Sequence, residues 1–226
     1  MSSEVVVEKR KLPVVKLAVV AVVLLVGAVL VLRGLDVQAL IAQGMELIRR
    51  VGPVTFFAAM TFLPALGVPL SAFTIPAGEA FAAQLGLPGV IALALAVLAV
   101  NLAFAYWLAR YALRPLLAGL IKRYGYSVPR VTPENALSVA LLVRLTPGPP
   151  YALQCAVLGL AEVPFRLYMI VSWLAGVPWV IGAIVLGQGI FNGNFKLAAT
   201  GLGVLVLAVA AVQWIRRKYF RRETGN

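Results

Sequence analysis

Charged residues are rare in the long apolar stretches of this sequence, and two of them stand alone. Glu79 is the only charged residue in 51–109, and Arg144 is the only one in 135–161. A charge at the depth of a lipid bilayer costs at least about 2.5–3.5 kcal/mol on insertion scales, so each is a candidate for function. A guanidinium suits phosphate because its planar donors match the phosphate oxygens. We therefore predict that Arg144 contacts a substrate phosphate, and that Glu79 balances it or exchanges a proton.

Other residues near these charges are candidates for contact with a substrate head group. They are Asn101, Pro147, Gly148 and Gln154. The two amides can bond a head group, or they can join helices through hydrogen bonds worth about 0.6 kcal/mol each. The alternatives for the charged residues are a permanent ion pair between them, or an Arg144 side chain that reaches the inner interface.

The composition excludes several classes of protein. Of the 226 residues, 62% are hydrophobic and 12% are charged, whereas a soluble domain has about 25% charged residues. The sequence has no histidine and one cysteine, which excludes Ser-His-Asp catalysis, histidine-bound metals and an intrachain disulfide. It has no phosphate-binding loop of the GxxxxGK[ST] type. We therefore predict a membrane protein that is not an enzyme and that uses no cofactor or metal.

Uncharged runs predict about four transmembrane helices. Residues 89–109, 167–190 and 197–215 each approach or exceed the roughly 20 apolar residues that cross a bilayer. The run 17–32 is shorter and is interpreted as an uncleaved signal anchor.

Two further apolar stretches, 51–78 and 145–161, contain too many prolines and glycines for straight helices. Broken segments at membrane depth are tolerated where protein or a wet cavity covers them. We predict re-entrant hairpins at 54–85 and 136–162. Helix N-termini following Pro76 and Pro150 would then direct their positive ends toward the anion bound by Arg144.

The two halves of the apolar sequence contain the same features in the same order: a broken segment, a proline and a long span. This order predicts an all-α integral membrane protein with an inverted repeat, whose site lies where the halves meet. The alternative is that proline and glycine only kink packed helices. The predicted divisions are 1–50 (anchor and interfacial helix), 51–112 (first hairpin and span), 113–135 (cytoplasmic amphipathic linker), 136–190 (second hairpin and span) and 191–226 (last span and basic tail).

The basic residues predict the orientation. The net charge of +12 comes from residues between the hydrophobic runs, where they set topology, so no nucleic-acid partner is expected. With both termini in the cytoplasm, fourteen basic residues lie inside and four outside, leaving Arg144 and Arg166 uncounted. This is a strong positive-inside bias.

The stretch L-L-V-R-L-T-P-G-P-P-Y-A-L-Q-C-A-V-L-G-L-A-E-V-P-F-R-L-Y (141–168) resembles the signature of the DedA/VTT superfamily, also called SNARE-associated Golgi protein-like. Upstream, P-A-L-G-V-P (64–69) and A-G-E-A-F (77–81) resemble its first half. The resemblance covers about residues 50–190. Several DedA members carry a second arginine where this chain has Pro149 and Pro150. Their acidic residue in the first hairpin tends to precede the glycine, whereas Glu79 follows Gly78. These departures indicate the wider VTT branch.

The resemblance implies a lipid transporter. Similar proteins move undecaprenyl phosphate or phosphatidylethanolamine between leaflets, and eukaryotic relatives act as scramblases. We expect a flippase or scramblase for phospholipid or undecaprenyl phosphate in the bacterial cytoplasmic (inner) membrane, with proton coupling and homo-oligomer formation left open. The alternative is a proton- or ion-coupled transporter of a small solute, in which Glu79 is the coupling carboxylate.

Overall fold

A computed structural model describes residues 37–115, 131–132, 134–146 and 148–220. The chain divides into two compact units, Met1–Glu46 and Leu47–Asn226. The described residues of the first unit, 37–46, are helical. The second unit contains every contact discussed below.

All regular structure in the described residues is helical. A short 3₁₀ turn, Leu63–Leu66, and a π-helical turn, Leu108–Leu113, accompany six helices. The helices are α1 (Val37–Phe62), α2 (Ser71–Trp107), α3 (Ala136–Leu145), α4 (Tyr151–Leu160), α5 (Phe165–Phe191) and α6 (Phe195–Phe220).

Two of these helices contain a break at glycine. Gly52 in α1 has φ 79° and ψ 162°, and Gly86 in α2 has φ 68° and ψ 151°. Glycine adopts positive φ without steric cost, and Pro53 and Pro88 follow these positions closely and disfavour a continuous helix. The break at Gly86 therefore separates the end of the first predicted hairpin from the span that follows.

Three helices in the described part of the chain are long and apolar enough to cross a membrane. They are Ser71–Leu113, Phe165–Phe191 and Phe195–Arg216. They contain the predicted spans 89–109, 167–190 and 197–215, as expected of an integral membrane protein. The predicted anchor 17–32 lies outside the described residues.

The first broken segment folds back on itself. The end of α1 leads into the 3₁₀ turn, and the chain returns as the start of α2. Phe56 of α1 packs against Phe73 and Phe81 of α2, with ring centroids 5.5 and 5.1 Å apart. The two arms therefore form a helical hairpin.

The second broken segment has the same form. Helices α3 and α4 flank the turn around Gly148, and the backbone N–H of Val131 donates to the carbonyl of Ala161 at 3.2 Å. The depth of both hairpins in a bilayer, and the inverted relation between the halves, stay predictions.

Helices α2, α5 and α6 pack closely through glycine. A Cβ atom at Gly187 of α5 would overlap the carbonyl oxygen of Ile75, and one at Gly189 would overlap the backbone of Ala198 in α6. These close approaches fix α5 between the first hairpin and the last helix, which positions the wall of the site described next.

Candidate functional site

A cavity of about 600 Å³ lies where the turns of the two broken segments meet α5 and α6. Gly67–Ser71 contribute from the first turn, and 148–152 contribute from the second. Trp179 of α5 and Val212 of α6 close further sides. The lining is largely apolar, and Arg144 is its one charged member among the described residues.

The Arg144 guanidinium is held by neutral groups. Its Nε donates to the Ser172 hydroxyl at 2.8 Å, and its Nη2 donates to Cys155 Sγ at 3.2 Å. Nη2 also lies 3.5 Å from the Tyr168 hydroxyl. The rings of Tyr151 and Tyr168 lie 5.5 and 5.6 Å from Cζ, within the range of cation–π attraction. These contacts orient the guanidinium without neutralising its charge.

No carboxylate in the described residues lies within salt-bridge distance of Arg144, and none lines the cavity. Glu79 instead pairs with Arg49, with Nη2 and Oε1 2.6 Å apart. Glu162 pairs with Arg114. The hypothesis that Glu79 balances Arg144 therefore has no contact to support it. A cation without a counter-ion beside an apolar cavity is suited to receive an anion.

Two helix N-termini reach the same cavity. Helix α2 begins at Ser71 and α4 begins at Tyr151, and their preceding residues, Leu70 and Pro150, provide no side-chain cap. The first N–H groups of a helix carry partial positive charge and can bond an anion where they have no other acceptor. In α2 the N–H groups of Ala72 and Phe73 already donate to the carbonyls of Pro69 and Leu70, whereas the first backbone bond of α4 is made by the N–H of Gln154. The predicted start of a helix after Pro76 was wrong, because α2 already begins at Ser71 and continues through that proline.

The remaining predicted site residues differ in whether they line the cavity. Gly148 and Gln154 line the cavity, and Gln154 Nε2 donates to the carbonyl of Pro149 at 3.1 Å. Pro147 lies outside the described residues. Their contact with a substrate stays a prediction.

Asn101 is completely buried and does not line the cavity. Its Nδ2 donates to the carbonyl of Thr61 at 2.7 Å, and its Oδ1 accepts from the Tyr151 hydroxyl at 2.7 Å. Asn101 is therefore connected to Arg144 through Tyr151, whose hydroxyl bonds Asn101 and whose ring packs against the guanidinium.

Three of the residues around Arg144 were not among the predicted site residues: Tyr151, Tyr168 and Ser172. A signal for two of them existed, because Tyr168 and Ser172 are four positions apart and so share one face of a mostly apolar helix. Tyr151 directly follows the Pro-Gly-Pro-Pro block and so begins the next helix.

Comparison with known proteins gives one match. The family model of the VTT domain matches residues 53–189. No curated protein and no solved structure matches the chain significantly. The matched range contains both hairpins, helices α2 to α4, and every residue of the cavity lining except Val212.

Proposed function

The chain belongs to the VTT-domain family, as its motifs predicted, and we propose that it moves phospholipid or polyprenyl-phosphate head groups between the leaflets of a membrane. One observation carries the proposal above all others. The guanidinium of Arg144 faces a cavity between both hairpin turns, oriented by neutral partners and without a counter-ion among the described residues.

The chemistry of the cavity fits a phosphate. Arg144 supplies donors in a planar fork, and the N-terminus of α4, whose first residue Tyr151 lines the cavity, adds partial positive charge. Together they place positive charge beside the cavity, while the mostly apolar lining leaves no partner for a second charge. The phosphate of a lipid head group would occupy this cavity, and its acyl or prenyl chains would remain in the bilayer.

The proposed path follows from the position of the two turns. Two re-entrant hairpins that enter from opposite faces would bring their turns together near the midplane, where transport sites of this type are built. We place both termini in the cytoplasm and the protein in a bacterial inner membrane, from the distribution of basic residues. Movement of a lipid down its gradient requires neither ATP nor a chemical step, which is why we propose a transporter and not an enzyme.

The small-solute alternative needs a coupling carboxylate in the transport path. Glu79 was the candidate, and the structure pairs it with Arg49 away from the cavity lining. No observation on the described residues favours this alternative over lipid transport.

Leaflet exchange in reconstituted liposomes tests the proposal. Head-group-labelled phosphatidylethanolamine and a labelled polyprenyl phosphate are each placed in both leaflets, and the labels that reach the outer leaflet are destroyed by a membrane-impermeant reagent. We expect exchange of at least one lipid to be faster than in protein-free liposomes. Exchange at the protein-free rate for both lipids, with and without a proton gradient, would contradict the proposal.

A further inference from the structure

A buried hydrogen-bonded chain joins the two hairpins behind the cavity. It runs from the carbonyl of Thr61, through the side-chain amide of Asn101, to the hydroxyl of Tyr151. Thr61 lies in the last turn of the first hairpin's first arm, and Tyr151 begins the second arm of the second hairpin. The chain therefore connects both segments whose turns line the cavity.

Each link satisfies a group that the fold leaves without a partner. The last carbonyls of an α-helix have no intrahelical partner. In the 3₁₀ turn that follows α1, the residue three positions beyond Thr61 is Pro64, which has no N–H to donate. The carbonyl of Thr61 only accepts, so the amide nitrogen of Asn101 faces it and the amide oxygen faces Tyr151. Asn101 has no exposed surface, so water does not substitute for either bond.

The end of this chain reaches Arg144. The Tyr151 ring lies 5.5 Å from Cζ of Arg144, and its hydroxyl is held 2.7 Å from Asn101 Oδ1. A second connection is parallel to the first: the Tyr168 hydroxyl, near Arg144 Nη2, donates to the carbonyl of Leu102 at 3.1 Å. Adjacent residues of α2 thus anchor both aromatic rings that face the guanidinium.

We propose that Asn101 and Tyr151 are positioning residues, which hold the two hairpins together behind the cavity and thereby fix Arg144 for anion binding. The inference rests on the proposed function in one respect only, that the anion belongs to a lipid. Asn101 then acts without touching substrate, which corresponds to the second of the two roles expected from the sequence, a hydrogen bond that joins helices.

The reactivity of the Cys155 thiol provides a test of this proposal. It is the only cysteine of the chain, its side chain is 1% exposed, and its sulfur lies 3.2 Å from Arg144 Nη2. Alkylation by N-ethylmaleimide therefore measures how often this part of the second hairpin opens. Protection of Cys155 by glycerol 3-phosphate measures anion binding at the neighbouring guanidinium.

The central variant is Tyr151→Phe, which keeps the ring against Arg144 and removes the hydroxyl that bonds Asn101. We expect Cys155 to be alkylated roughly tenfold faster, and the half-protecting concentration of glycerol 3-phosphate to rise roughly tenfold, as for loss of one buried hydrogen bond. The matched control is Tyr111→Phe at an exposed tyrosine, which should leave both values unchanged.

A double variant separates positioning from a general loss of packing. Tyr151→Phe combined with Asn101→Leu should change both values no more than Asn101→Leu alone, because both substitutions break the same connection. Wild-type alkylation and protection in Tyr151→Phe would overturn the proposal, and so would additive effects in the double variant. These readouts do not depend on lipid movement. Failure of leaflet exchange with intact protection would therefore overturn the lipid proposal and leave the positioning role standing.

Discussion

Arg144 is surrounded by a hydroxyl, a thiol and two aromatic rings, and this set of partners explains its suitability for anion binding. A buried arginine whose role is structural is generally paired with a carboxylate, because an unpaired charge in an apolar environment is costly. Here the described contacts of the guanidinium are Ser172, Cys155, Tyr168 and Tyr151. They orient the planar group and leave its charge available to a phosphate.

The planar arrangement of donors in the Arg144 guanidinium predicts the effect of Arg144→Lys. Lysine keeps the positive charge but places its donors at one nitrogen, so it cannot bond Ser172 and Cys155 in the same geometry. We expect anion binding to weaken by roughly tenfold, since tenfold corresponds to loss of one good interaction. The half-protecting concentration of glycerol 3-phosphate in the Cys155 alkylation assay measures this. Equal protection in the lysine variant would show that charge alone is sufficient.

At the scale of elements, the breaks in the two proline-rich apolar stretches were predictable, and the side-chain partners of the residues there were not. Prolines and glycines at 51–78 and 145–161 forbid straight helices, and the structure places turns there. The start of α2 was mistaken because proline within a helix removes one N–H without necessarily ending it, as at Pro76. Periodicity and spacing carry no information on long-range pairing, so they did not reveal that Glu79 binds Arg49.

The ion pair between Arg49 and Glu79 predicts that substitutions of either residue have equal effects on leaflet exchange. If the carboxylate acts through its ion pair, Arg49→Gln and Glu79→Gln should change leaflet exchange by the same factor, and combining them should add nothing. The exchanged pair, Arg49→Glu with Glu79→Arg, should restore activity. A loss confined to Glu79→Gln would instead indicate a proton carrier and would favour the coupled transporter.

The contact between α2 and α5 predicts that Gly187 is intolerant of substitution. A Cβ atom there would overlap the carbonyl of Ile75, so Gly187→Ala should destabilise the protein by about 1–3 kcal/mol, as overpacking generally does. Thermal unfolding in detergent measures the change. Gly203→Ala on α6 is the matched control, because nothing lies within 4 Å of the position that its Cβ would occupy, and it should not lower the unfolding temperature. Equal effects of the two substitutions would argue against a close contact at Gly187.

For the whole molecule, family membership and structure converge on a membrane protein with a cavity between two hairpins. The match over 53–189 covers both hairpins, and the cavity draws its lining from both of their turns. The Thr61–Asn101–Tyr151 chain joins the two hairpins through hydrogen bonds. Such a link would allow movement of one hairpin to displace the other. The proposed transport requires this, because the cavity would have to open to each side of the membrane in turn.

The most direct test of the central claim is leaflet exchange of a phosphate-bearing lipid by Arg144→Gln, compared with Arg166→Gln. Arg166 lies exposed at the start of α5, so its substitution removes an equal charge outside the cavity. With both variants folded and reconstituted at equal density, we predict that Arg144→Gln reduces protein-dependent exchange by at least about tenfold, while Arg166→Gln retains the wild-type rate. Wild-type exchange by Arg144→Gln would contradict the account, because the head group would then cross the membrane without the guanidinium.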